Sequence, residues 1–324
     1  MFPSSGKMKK ILGILAIVLA ACTAQAQQNV QYSQFMLNDY GLNPAVAGNS
    51  KGWMFMVGRR VQWTGFELSP ETNFASVTRS FGKKGYKRYW HGAGVYVEQD
   101  KLGAFASKSM YASYAIHLKL SSKYYIGFGL AAGVKSYAIS NTIYDAADPA
   151  IMNRAAKVIV PDIIPGVYLY SRKLVAGVAV RNVYANTLKQ GNKEIGTGSR
   201  VLPNAYLTFA RKFVSEGYDF IIVPAVHVQT TFISIPVSNF NCMVYYRKRI
   251  GIGASYRMHD AVTGMIQVRI YSNIVIGFAY DYTISRFRAA NANSSEFMFG
   301  FSPVMSTENY DRPQGAANCP KFEL

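Results

Sequence analysis

Alternation of large and small side chains, in segments of about ten residues, is the feature that most limits how this chain can fold. Across Ile274 to Thr283 one parity reads Ile274, Ile276, Phe278, Tyr280 and Tyr282, and the other Val275, Gly277, Ala279, Asp281 and Thr283. Ile250, Ile252, Ala254, Tyr256 and Met258 alternate with Gly251, Gly253, Ser255, Arg257 and His259. Tyr124, Ile126, Phe128 and Leu130 alternate with Tyr125, Gly127, Gly129 and Ala131, and Phe297, Phe299 and Phe301 with Glu296, Met298, Gly300 and Ser302. A strand points successive side chains to opposite faces, so this period of two separates a bulky face from a small or polar one. A helical period fits none of these segments. Bulky residues outside and small ones inside is the pattern of an all-β, transmembrane antiparallel β-barrel.

Composition agrees. Half the residues are hydrophobic and 16% are charged, against about 25% charged in ordinary soluble domains. Beyond the amino-terminal region no apolar run is long enough to cross a bilayer as a helix. Strand-like segments fall near 53–63, 70–82, 89–99, 108–119, 123–136, 163–171, 173–183, 202–213, 219–230, 238–248, 250–259, 262–271, 273–284 and 295–302. That makes about 14 strands. Pro224 interrupts the ninth, and 12 strands is the alternative if it breaks there. Alternate connections are tight, as at 121–122, 171–172 and 248–250, whereas 137–162, 184–201 and 285–294 are long. Short turns on the periplasmic side and long loops outside would leave both termini periplasmic. Within the long loop at 137–162, residues 146–157 read as a short helix with Pro149 near its start. Trp53, Trp63, Trp90, Tyr124, Tyr125, Tyr245, Tyr246, Tyr271, Tyr137 and Tyr282 lie at strand ends, where interfacial girdles are expected.

The amino terminus carries an export signal. Lys7, Lys9 and Lys10 precede the apolar stretch Ile11–Ala21, and Ala24-Gln25-Ala26 supplies a cleavage site. Residues 1–26 are therefore expected to be a signal peptide. Leu19-Ala20-Ala21-Cys22 also reads as a lipobox, with a lipidated Cys22 as the alternative. Residues 27–52 then form a periplasmic strap or plug, 53–302 the barrel, and 303–324 a polar periplasmic tail.

Three motifs follow one another after the cleavage site. Gln31-Tyr32-Ser33-Gln34-Phe35-Met36 comes first, then Asn43-Pro44-Ala45-Val46-Ala47-Gly48, then Arg60-Val61-Gln62-Trp63-Thr64-Gly65. In this order they resemble the opening of the PorP/SprF family of outer-membrane components of the type IX secretion system. The likeness extends more weakly to Asn309-Tyr310 and Cys319-Pro320-Lys321-Phe322. The resemblance implies a non-enzymatic barrel that works beside a periplasmic ring of a lipoprotein and its partner, and that meets cargo bearing a carboxyl-terminal sorting domain. Arg60 and Gln62 share one face of the first strand, which suggests hydrogen bonds to the amino-terminal segment inside the barrel, with Trp63 helping to hold it. The competing class is an outer-membrane pore or hydrophobic-substrate transporter with residues 27–52 as its plug. Inward Gly and Ala predict no ring of charge for such a pore.

Other chemistry has little support. His91, His117, His227 and His259 are separate in sequence and lack metal-ligand spacing. Gly127-Phe128-Gly129-Leu130-Ala131-Ala132 has the degenerate dinucleotide spacing, but it lies within a strand and precedes no helix. No cofactor, metal or catalytic residue is expected. A Cys242–Cys319 bond would require the tail to reach far into the lumen, so free thiols are the simpler reading. Lys and Arg total 35 against 17 acids, a net charge of +18 that falls to +15 without the three signal lysines. Export and the barrel pattern exclude nucleic acid as the target. Membrane lipids or an acidic protein are the expected counterparts. The basic clusters fall on the short connections: Lys83, Lys84, Lys87 and Arg88 on the second, Arg247, Lys248 and Arg249 on the tenth. These are the candidate docking residues for a periplasmic partner.

Overall fold

A computed structural model describes residues 30–303 apart from 51, 67, 83–87, 140–156, 185–188, 191–192, 195–200, 216–218, 232–234, 271–272, 286–287 and 289–291. Its barrel strands are β1 (Trp53–Thr64), β2 (Glu71–Phe81), β3 (Tyr89–Leu102), β4 (Phe105–Lys119), β5 (Tyr125–Ile139), β6 (Lys157–Tyr170) and β7 (Leu174–Arg181). They continue with β8 (Asn204–Arg211, resuming at Phe213–Val214), β9 (Phe220–Thr230), β10 (Val237–Tyr246), β11 (Ile250–Arg257), β12 (Ala261–Ile270), β13 (Ile274–Thr283) and β14 (Asn293–Phe301). Each pairs antiparallel with the next, and β14 pairs with β1. Closure leaves no free sheet edge, which is what a β-structure needs in hydrocarbon.

Pro224 does not break β9. It sits opposite Cys242 of β10. On its other side the ladder between β8 and β9 lapses after Ala210↔Ala225 and resumes at Phe213↔Ile222 without changing register. A proline has no N–H to donate, and the wall absorbs it by a gap in one ladder. The barrel therefore has 14 strands and the 12-strand alternative falls. β6 begins at Lys157, six residues before its sequence-based limit of 163. The short helix expected at 146–157 lies outside the described residues, except for Lys157, which opens β6. The signal peptide, Cys22, the tail beyond residue 303 with Cys319, and Tyr271 also lie outside them. Cys242 is a free thiol on the outer face.

Burial follows parity. Phe278, Tyr280 and Tyr282 face outward, while Ala279, Asp281 and Thr283 are buried inside. The same parity corrects part of the girdle expectation. Trp90, Tyr125 and Tyr245 point inward and are buried, whereas Trp53, Tyr124, Tyr246 and Tyr282 are exposed to the outside. Position at a strand end does not suffice for a belt, because the side chain must also be on the lipid-facing parity. Connections at 120–124, 171–173 and 247–249 are short at one end. At the other, the two-residue turn Gly103–Ala104 and the three residues 258–260 are also tight, so that end mixes long loops with hairpins.

The lumen is occupied by the chain's own amino-terminal segment. Residues 38–50 are all buried. A four-residue helix, α1 (Asp39–Leu42), leads through Asn43 into a single 3-10 turn, Pro44–Val46. The Asn43 side chain accepts from the Ala45 N–H and Pro44 stands at the first position of the turn, the chemistry expected of a cap followed by proline. The wall is moulded to this backbone. A Cβ at Gly92 would overlap the carbonyl of Ala47, and one at Gly129 would overlap the backbone of Ala45. Gly129→Val is therefore expected to overpack the lumen by about 1–3 kcal/mol and to loosen residues 30–50. Limited proteolysis of the detergent-solubilised protein checks this: new cleavage within that segment is expected, with the barrel core still resistant.

Candidate functional site

The inward positions of β1, β11, β13 and β14 bring two guanidiniums and two carboxylates together around one hydroxyl. Arg60 on β1 and Glu296 on β14 are direct register partners and lie 3.1 Å apart. The other nitrogen of the Arg60 fork reaches Asp281 on β13 at 2.6 Å. Arg257 on β11 approaches Asp281 at 3.4 Å and Asp260 at 3.0 Å. Ser33 of the lumenal segment is the hub. Its hydroxyl donates to Asp281 at 2.7 Å and accepts from Arg60 at 3.0 Å and Arg257 at 2.8 Å. One donor and two acceptors exhaust what a hydroxyl offers. The Glu296 carboxylate accepts the successive backbone N–H groups of Ser33 at 2.9 Å and Gln34 at 2.8 Å. These bonds are charge-assisted and remote from water, the condition under which pairing matters most.

Two further levels hold the segment. At mid-segment Tyr40 shares a 2.7 Å hydrogen bond with Ser113, and burial pushes its phenol up to about 12. Arg181 donates to the carbonyl of Gly41. Its guanidinium lies 3.6 Å from Glu98 and over the rings of Tyr96, Tyr111 and Tyr206. Tyr32 and Tyr96 both donate to Glu98, at 3.0 and 2.8 Å. Asn43 inserts its amide between β6 and β7 and donates to the carbonyls of Val167 and Val178, at 3.0 and 3.2 Å. Nearer β1, His117 donates from Nε2 to the carbonyl of Ala47 at 2.8 Å, and its Nδ1 then accepts from Tyr170 at 2.8 Å. Trp90 stacks on that imidazole and donates to the carbonyl of Gly48 at 3.1 Å.

The sequence motifs thus meet in space as far as Arg60. Asn43, Pro44, Ala45 and Gly48 pack on the wall, and Arg60 binds the segment as its place on β1 suggested. Gln62 and Trp63 occupy the far end of β1. Gln62 is half-buried and bonds through its backbone to Pro70. Trp63 lies at a register shift with φ of 52° and donates its N–H to Ser294. Inward Gly and Ala predict no ring of charge, yet the lumen does hold charge, gathered in paired clusters. Arg60, Arg181, Arg257, Glu98, Asp281 and Glu296 are all buried there. Ser33, Asp281, Glu296 and Arg257 went unrecognised as partners. The available signal was an isolated acid on the small-residue parity, as at Asp281 and Glu296.

Of the basic docking candidates, Lys83, Lys84 and Lys87 lie outside the described residues. Arg88 is exposed beside β3. Arg247, Lys248 and Arg249 form the turn between β10 and β11, with Arg247 paired to Asp219 at 3.2 Å. Arg247 and Lys248 have φ of 47° and 57°. Both lie in the left-handed region, where each non-glycine residue costs about 1–2 kcal/mol. Among the described residues no three His, Cys, Asp or Glu side chains gather as metal ligands would.

Residues 24–301 match the sequence profile of a family described as type IX secretion system membrane protein PorP/SprF. A search of curated proteins finds no match. Among solved structures the chain is similar to the toluene transporter TbuX of Ralstonia pickettii, at 12% identity over 82% of this chain and 91% of that one, with a TM-score of 0.49. It is also similar to the outer membrane protein Omp33 of Acinetobacter baumannii, at 10% identity over 78% and 99%, TM-score 0.45. A FadL homologue from Pseudomonas aeruginosa gives 9% identity over 80% and 91%, TM-score 0.46. Likeness at such identities concerns the barrel fold alone.

Replacing Arg60 by Ala strands Asp281 and Glu296 in the lumen with one guanidinium fewer. The expected cost is about 3–5 kcal/mol, the usual penalty for breaking a buried ion pair from one side. Denaturant unfolding in detergent checks the magnitude. Protease sensitivity of residues 30–50 checks that the segment is released.

Proposed function

The chain belongs to the PorP/SprF family and is an outer-membrane component of type IX secretion, and from that premise we propose that it works as a docking barrel rather than as a conduit. The observation that carries this reading is the filled lumen. A passage for polypeptide or solute would have to break the Ser33 hub, the Arg181 and Asn43 contacts and the His117–Trp90 clamp together. Each buried polar group left unpaired costs about 1–3 kcal/mol. On this reading the barrel stays shut and its two rims make the contacts. One rim meets the periplasmic ring lipoprotein and its partner. The other meets cargo with a carboxyl-terminal sorting domain or the component that attaches it to the surface. The barrel itself is non-enzymatic. Lys83, Lys84, Lys87, Arg88, Arg247, Lys248 and Arg249 are the docking residues on the short-connection rim, which we place in the periplasm because short turns face that side in bacterial barrels. The competing reading, a pore or hydrophobic-substrate transporter plugged by residues 27–52, is favoured over a closed platform by no lumenal feature among the described residues.

The closed lumen is testable by locking it. A photoreactive benzoylphenylalanine in place of Tyr40, whose ring lies beside Gly94 and Ser113, should cross-link the segment to β3 or β4 on irradiation. Cargo secretion is expected to continue in cells whose barrels are cross-linked. A halt that depends on both the photoreactive residue and light would show that the segment must move and would favour the conduit. Charge reversal of Arg247, Lys248 and Arg249 to Glu is expected to leave barrel abundance unchanged and to release the periplasmic partner, read by co-purification.

A further inference from the structure

Three couples of like charge face each other across the ladder at the short-connection end. Lys119 of β4 donates its N–H to the carbonyl of Arg88 at 2.8 Å. Lys212, in the gap of β8, does the same to Lys173 at 2.8 Å, and Arg269 of β12 to Arg249 at 2.7 Å. Each couple extends the register of its strand pair by one step, beyond Tyr89↔Leu118, Arg211↔Leu174 and Ile250↔Val268. Cross-strand neighbours have their Cβ atoms about 5 Å apart, where like charges repel.

Parity shows where these cations point. Two residues further into the strands stand Trp90 and His117, Val175 and Ala210, and Gly251 and Gln267, all buried on the lumenal side. The six cations continue that parity, so they border the mouth of the lumen rather than the hydrocarbon. They stand on the opposite parity from an outward residue such as Arg211, which lies over the ring of Phe213. Two strands separate each couple from the next, β5 and β6 in one interval and β9 and β10 in the other. At about 4.8 Å per strand the couples lie about 19 Å apart along the wall. A single small anion spans one couple at most, whereas an acidic polypeptide reaches all three.

We propose that Arg88/Lys119, Lys173/Lys212 and Arg249/Arg269 form a basic collar around the lumen mouth that receives an acidic segment of a soluble protein partner. This rests on the docking-barrel reading and supplies the partner's chemistry. An extended acidic chain places opposite charge at each couple in turn. Attraction of this kind weakens with ionic strength.

The test uses the full-length protein in zwitterionic nanodiscs and fluorescein-labelled poly-L-glutamate, followed by anisotropy at low and high salt. Salt-sensitive binding is expected. The triple variant Lys119→Gln, Lys212→Gln, Arg249→Gln, with one member of each couple neutralised, should bind about tenfold or more weakly, in line with the loss of several charge contacts. Its unfolding midpoint should not fall, which separates lost recognition from a damaged barrel. Lys119→Arg alone should bind as the parent does. No binding by the parent, or equal binding by the triple variant, overturns the collar. Loss of co-purifying phosphatidylglycerol from the triple variant with poly-glutamate binding intact would assign the couples to lipid and overturn it as well. Binding is read without secretion, so failure here removes the collar and leaves the closed lumen standing. A halt in secretion on locking the lumen does the reverse.

Discussion

A buried ion pair sits at the seam where the first and last strands meet, and the barrel's closure depends on it. Arg60 and Glu296 are opposite each other in the β1–β14 ladder. Thirteen of the strand pairings join consecutive strands and form over short stretches of chain. The fourteenth joins residues separated by more than two hundred positions and bears the largest loop-closure cost. Its register must therefore be specified by side chains. A slip by one residue would turn Arg60 from the lumen to the lipid, at about 2–4 kcal/mol near the bilayer midplane. It would also leave Glu296 and Asp281 without their shared cation. The cluster makes a single closure far better than its nearest alternatives.

The lumenal segment gives those charges their remaining partners and serves as the core of a protein that would otherwise lack one. In a soluble domain apolar side chains meet at the centre. In this chain many of them face lipid, and the centre mixes inward apolar side chains such as Met56, Phe74, Ile221, Met243 and Met298 with backbone carbonyls, phenols, amides and a few charges. The burial of Tyr32, Phe35, Leu42 and Val46 supplies apolar contact there. Polar bonds at three levels set the position of the segment. Spreading the attachments over β1, β3, β4, β6, β7, β11, β13 and β14 ties most of the circumference to one short stretch of chain.

Strands were legible in the sequence wherever bulky and small or polar residues alternated over most of a segment, as in β5, β11, β13 and β14. They blurred where the pattern weakened: β6 starts six residues before 163 because 137–162 reads as one long loop, and β9 carries a possible break because the missing N–H of Pro224 weighs on the whole strand although it costs only one ladder. The bond between Arg60 and the amino-terminal segment was foreseen because both lie near each other in sequence. Asp281 and Glu296 were not, because nothing local says which strand an inward acid will face across a closed wall. Trp90, Tyr125 and Tyr245 were assigned to the girdle by their position along the strand, although their parity already pointed them inward.

The glycines that receive the lumenal backbone have a consequence for how such chains can diverge. Gly92 lies against Ala47, Gly129 against Ala45, and Gly166 against the amide of Asn43. The insert and the wall are one mould and one casting, although β3, β5 and β6 are far from residues 43–47 in the gene. A side chain gained on the wall requires space surrendered by the insert. Chimeras that exchange strands between relatives should assemble best when residues 30–50 travel with the strands they touch, and the evolutionary record of one should carry the imprint of the other.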